Sequence, residues 1–156
     1  MNVSRTISPC HASVQRSHRH KKLSHRPVKS ILLAEDDNDL RLVMECVFIS
    51  LGYQVVACAD AFLAITAFQK RFTFDLLVTD LQMPGMSGLE LAREITLHRP
   101  TLPVVLVTGS ILTTQNVGEL VERGWSYLAK PCDIDTLKCT VHRLLNREMR
   151  MSSLDD

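Results

Sequence analysis

The 156 residues carry 46% hydrophobic and 22% charged side chains, an ordinary balance for one globular domain, and apolar runs such as 104–107 fall far short of the roughly 20 residues of a membrane span. Five cysteines (10, 46, 58, 132 and 139) include no C-x-x-C pair, so they point to neither a disulfide framework nor a zinc site and fit a reducing cytoplasm. The net charge of +1 conceals an asymmetry: residues 1–30 hold seven of the 18 basic residues and none of the 17 acids, which leaves the remainder at −6.

Residues 1–28 read as a disordered basic tail. Ser, His, Arg and Lys dominate it, and no apolar period offers enough buried surface to offset chain entropy. An unspecialised extension, a targeting peptide, and a basic arm for phosphate backbones or acidic surfaces are its three readings. From residue 29 to 148 the pattern changes. Short continuous apolar runs at Ile31–Ala34, Val55–Cys58, Leu76–Val78, Val104–Val107 and Trp125–Ala129 suit strands covered on both faces.

Helix-period segments separate the runs. Leu40, Val43, Met44, Val47, Phe48 and Leu51 share one face, ended by Gly52. Ala61, Ala64, Ile65, Phe68 and Phe72 form the next; then Leu89, Ala92 and Ile95; then a shorter Val117, Leu120 and Val121; last Ile134, Leu137, Val141, Leu144 and Leu145. Five βα units in about 120 residues predict an α/β domain with a doubly wound, five-stranded parallel sheet, whose ligands sit at the carboxyl ends of the strands. Residues 149–156 read as a short C-terminal tail, and no output domain is expected in them.

Reading only the strand ends gives Glu35 and Asp36, then Asp80, Thr108 and Lys130. Three neighbouring carboxylates repel one another unless a cation compensates, and a small set of hard oxygen ligands favours Mg²⁺. Lys130 and Thr108 supply a point charge and a hydroxyl suited to a tetrahedral anion. With those in place Asp80 can act as a nucleophile toward a phosphoryl group. Capping is the structural alternative for "EDDND", with Asn38 or Asp39 starting the first helix; Ser87 and Glu90 form an S-x-x-E capping box. An aspartyl-intermediate hydrolase of the dehalogenase type is disfavoured, because Gln82 stands where such enzymes need a second Asp.

The motifs "ILLAEDD", "LLVTDLQMPGMSGLEL", "LPVVLVTGS" and "YLAKP", with 44 residues from Asp36 to Asp80, 28 more to Thr108 and 22 more to Lys130, resemble the receiver domain of bacterial two-component response regulators. The resemblance implies the flavodoxin-like (βα)5 fold with strand order 2-1-3-4-5, and Asp80 as phosphoacceptor from a phosphohistidine on a sensor histidine kinase or a histidine phosphotransfer protein. It implies Mg²⁺ held by Glu35 through water and by Asp36, Asp80 and the Gln82 main-chain carbonyl, with Asp37 outside the set. Thr108 and Lys130 would bind phosphoryl oxygens, a cis peptide would precede Pro131, and Gln82 and Ser110 would tune the phosphate's lifetime.

Thr108 and Tyr127 would form the switch, and a partner protein would read the fourth helix, fifth strand and fifth helix. Cys132 departs from the aromatic residue common after "KP" and reads as a small core residue. The implied function is a single-domain, cytoplasmic response regulator that binds a partner or relays phosphate, with no membrane association. It is no enzyme beyond catalysing its own phosphorylation and dephosphorylation. The alternative output is nucleic-acid binding by the basic arm.

Overall fold

Along β1 (Ser30–Ala34) every residue is buried, because successive side chains leave opposite faces of a sheet that is covered on both. The computed structural model describes residues 28–70 and 73–146; Phe72, the C-terminal tail and all of the basic tail but Val28 lie outside them. The elements alternate as expected: α1 (Asn38–Ser50), β2 (Gln54–Cys58), α2 (Ala61–Lys70), β3 (Leu76–Asp80), α3 (Gly88–His98), β4 (Val104–Thr108), α4 (Thr114–Arg123), β5 (Ser126–Ala129) and α5 (Ile134–Asn146). All strand pairs are parallel, in the order β2-β1-β3-β4-β5.

Alternation divides the core in two. Ile31, Leu33, Leu76, Val78, Val105 and Val107 pack with Met44 and Phe48 of α1 and with Leu137, Val141, Leu144 and Leu145 of α5. Leu32, Ala34, Leu77, Val104 and Leu106 face the other way, against Phe68 of α2, Ile95 of α3 and Leu120 of α4. Each of these side chains larger than alanine contributes about 1.5–3 kcal/mol when fully buried. Cys132 packs, partly buried, on the α1/α5 side. No described helix is long and apolar enough to cross a membrane.

Several elements differ from expectation. β3 and β4 run on to include Asp80 and Thr108, so the polar residues are held within the sheet ladder rather than in loops. β5 starts at Ser126; Trp125 is buried but its N–H donates to the Leu120 carbonyl at 2.9 Å, closing α4 around Gly124 (φ +65°) before the ladder begins. Asp37, not Asn38 or Asp39, caps α1, its carboxylate accepting from the Leu40 N–H at 2.9 Å. Val43, Leu51, Val117, Val121 and Ile134 share the apolar period of their helices but are exposed, because the sheet reaches only the narrower stripe beneath them.

The shortfall is greatest in α4, which buries Leu120 alone. A second tie holds it: Arg93 of α3 reaches Glu119 with two guanidinium nitrogens, Nε donating to Oε1 at 2.8 Å, and Arg123 Nε adds a contact at 3.0 Å. The hydrogen bond from Arg93, with the charges of both arginines, holds the Glu119 carboxyl below its ordinary 4.5. A carboxyl lowered in this way stabilises the fold above 4.5, and that stability is lost as pH falls through its folded value. Glu119→Gln is therefore expected to cost about 0.5–1 kcal/mol in urea unfolding at pH 7, since the pair is partly exposed, and the gap from the parent should close in acid. A gap independent of pH would refute this role.

Candidate functional site

The sheet ladder delivers the polar side chains to one rim. Beyond β1, the Glu35 N–H donates to the Cys58 carbonyl at 3.1 Å, and beyond β3 the Leu81 N–H donates to the Val107 carbonyl at 3.1 Å, so both loops leave the sheet in fixed directions. Glu35 is 1% exposed and Asp80 7%, whereas Asp36 is open to solvent. Carboxylate oxygens of Glu35, Asp36 and Asp80 lie within 4.8 Å of one another. Asp37 is occupied by its cap.

Lys130 enters this group from the end of β5. Its N–H donates to the Thr108 carbonyl at 2.7 Å, and its peptide bond to Pro131 is cis, as the motif implies. Lys130 Nζ donates to Glu35 Oε2 at 2.9 Å and lies 3.2 Å from Asp80 Oδ2. Asp80 Oδ1 accepts from the Gln82 N–H at 3.2 Å, and Glu35 Oε1 from the Asp37 N–H at 3.3 Å.

Burial pushes the Glu35 carboxyl above its ordinary 4.5, with the charge of Asp80 adding to the effect and Lys130 partly offsetting it. Burial works against the Lys130 charge too, but the hydrogen bond to Glu35 and the charges of Asp80 and Glu35 outweigh it, and its ammonium is held above 10.5. One lysine among three carboxylates leaves excess negative charge in a partly desolvated corner. That donor set of hard, closely spaced oxygens fits a divalent cation such as Mg²⁺.

Thr108, 2% exposed, is drawn to the same rim, where its Oγ1 accepts from the Ser110 N–H at 3.0 Å. Gln82 and Ser110 line a cleft of about 610 Å³ together with Asp36, Ile111 and Asn116. Tyr127 stands apart, 52% exposed, over a separate depression of about 360 Å³ that it shares with Thr108, Val117 and Lys130.

Two residues that shape the site escaped the sequence reading. Gly88 opens α3 directly beneath Asp80, where an added Cβ would lie 1.9 Å from the Asp80 carbonyl oxygen. Arg41 reaches back from α1 to the main chain of Glu35, its Nη1 donating at 2.8 Å. Gly88 had a partial signal, since a glycine right after a capping serine gives up side-chain packing in a helix's first turn. Arg41 had none.

Residues 31–142 match the family described as the response regulator receiver domain. The receiver protein CpdR of Brucella abortus (strain 2308) is 35% identical over 118 residues, covering 76% of this chain and 98% of its own length. The two-component response regulator ARR14 of Arabidopsis thaliana is 31% identical over 122 residues, which cover 78% of this chain but only 32% of that protein. A solved receiver domain protein from Methanospirillum hungatei JF-1 superposes with a TM-score of 0.73 at 25% identity, over 80% of this chain and 98% of the other.

Proposed function

Because the chain belongs to the response regulator receiver domain family, whose members partner with histidine kinases or phosphotransfer proteins, we propose that Asp80 accepts a phosphoryl group from such a partner's phosphohistidine. The observation that carries this reading is the convergence of Asp80, Glu35 and Asp36 within 4.8 Å, with Lys130 Nζ bridging two of them. In the transfer an Asp80 carboxylate oxygen forms a bond to phosphorus while the phosphorus–nitrogen bond to the donor imidazole breaks, and the departing imidazole keeps that electron pair. Lys130 neutralises charge on one phosphoryl oxygen and the Thr108 hydroxyl donates to another.

Glu35, Asp36, Asp80 and the Gln82 carbonyl would hold Mg²⁺, which supplies charge neutralisation at the phosphoryl oxygens when bound. Gln82 and Ser110, flanking the cleft, set how readily water reaches the product. Phosphorylation adds about two negative charges. Thr108 moves toward them, and Tyr127 turns into the depression that lies beside it, a shift between two packings of one fold.

The α4–β5–α5 face then presents the change to a downstream partner protein or relay. The chain turns over no separate substrate, and catalyses only its own phosphorylation and dephosphorylation. The reading places this exchange in the cytoplasm, where ATP-derived phosphohistidine is made. Acetyl phosphate with Mg²⁺ is expected to label the parent and leave Asp80→Asn at background; equal labelling of the two would show the acceptor to be another residue.

A further inference from the structure

We infer that Arg41 is a positioning residue for the cation site, setting the direction in which Asp36 and Glu35 present their carboxylates. The inference rests on the metal reading above. The three-residue turn from Glu35 to Asp37 is tied at both ends, by the Glu35 N–H to the Cys58 carbonyl and by the Asp37 carboxylate capping the Leu40 N–H. A longer bond, from the Asp37 N–H to Glu35 Oε1 at 3.3 Å, holds the Asp36–Asp37 peptide by its N–H, but none of these ties engages the Glu35 or Asp36 carbonyl. Arg41 Nη1 does so, donating to the Glu35 carbonyl at 2.8 Å and more weakly to the Asp36 carbonyl at 3.4 Å, while its other nitrogen bonds the Asn38 side chain.

Two successive carbonyls turned toward one guanidinium fix the backbone from which the Asp36 side chain departs. That matters most for Asp36, which is exposed and lacks the packing that holds Glu35 and Asp80. A planar fork suits this task, because one nitrogen can serve the two carbonyls while the other is anchored on Asn38. Partners that orient metal-ligating groups without touching the metal typically change its affinity by about 10–100-fold when removed.

The sign of the effect separates positioning from mere charge. A cation beside a cation site repels its ligand, so if Arg41 acted by charge alone its removal would tighten divalent-ion binding. Positioning requires the opposite. The test titrates the full chain with Mn²⁺, which takes the same carboxylate donors, and reads free Mn²⁺ by electron paramagnetic resonance at fixed ionic strength. Arg41→Ala is expected to bind about tenfold more weakly than the parent. Arg41→Lys keeps the charge but offers no fork, and its affinity should fall between the two.

Parent-like or tighter binding by Arg41→Ala, with a parent-like circular dichroism spectrum, overturns the inference and leaves the metal reading intact. Should Arg41→Ala not fold, Arg41→Lys decides alone: parent-like affinity overturns the inference and weakened affinity supports it. A parent that takes up no Mn²⁺ overturns the metal reading, and this inference with it.

Discussion

Alanine at position 88 is expected to cost about 3 kcal/mol or more in unfolding free energy, the upper range for overpacking a filled site. Gly88 is the first residue of α3, and its N–H donates to the Leu81 carbonyl at 2.9 Å. A Cβ there would sit 1.9 Å from the Asp80 carbonyl oxygen and 2.8 Å from its carbon. These are backbone atoms, so no rotamer change relieves the clash. Either α3 lifts from the end of β3 or the Asp80 peptide moves, and both displace the carboxylate from Lys130. Gly118→Ala is the control: nothing lies within 4 Å of its added Cβ, and a helix-interior glycine replaced in this way should gain about 0.5–1 kcal/mol. Thermal or urea unfolding of the two variants reads the contrast, and parent-like stability of Gly88→Ala would contradict the packing described.

Lys130→Ala should be the most damaging change among the charged residues when divalent cations are chelated. Glu35, 1% exposed, would lose the ammonium 2.9 Å from its Oε2 while Asp80 remained nearby. Removing one partner of a buried pair typically costs about 3–5 kcal/mol, and about 3 is the relevant end because the Lys130 side chain is 23% exposed. The pH dependence follows from the direction of the Glu35 shift. A carboxyl raised by burial destabilises the fold as pH rises through its folded value, and losing Lys130 raises it further. The parent-to-variant gap should therefore widen from acid to neutral pH. Glu35→Gln in the same chain should recover much of the loss, since the more deeply buried of the two carboxylates is then neutral and only Asp80, 7% exposed, is left without the ammonium. A cost unchanged by that second substitution would contradict the electrostatic account. Mg²⁺ should also recover part of it by linkage.

The parts of this molecule that were legible in the sequence are those with a repeating period or a charge where the period stops. Continuous apolar runs marked all five strands, although only the inner three, β1, β3 and β4, are buried along their whole length, and the acids just beyond β1 and at the end of β3 stood out as interruptions. Contacts that depend on the path of the chain in space were not legible. Asn38 and Asp39 were equivalent as caps in the sequence, and the direction of the turn gives the role to Asp37 instead. Val117 and Val121 share the period of Leu120, but α4 touches the sheet over too narrow a stripe to bury them. Arg41 reads as an ordinary solvated helix residue, since nothing local reveals that its guanidinium returns to the Glu35 carbonyl. Gly88 is indispensable for an approach to Asp80 that no spacing rule encodes.

The central claim is that Asp80 is the phosphoacceptor. The most direct test treats the full chain with acetyl phosphate and Mg²⁺, reduces the acyl phosphate with borohydride, and locates the altered residue by peptide mass spectrometry. The account predicts reduction at Asp80 that disappears when Mg²⁺ is chelated. An unaltered Asp80, with the product at Asp36, Glu35 or any other carboxylate, would contradict it.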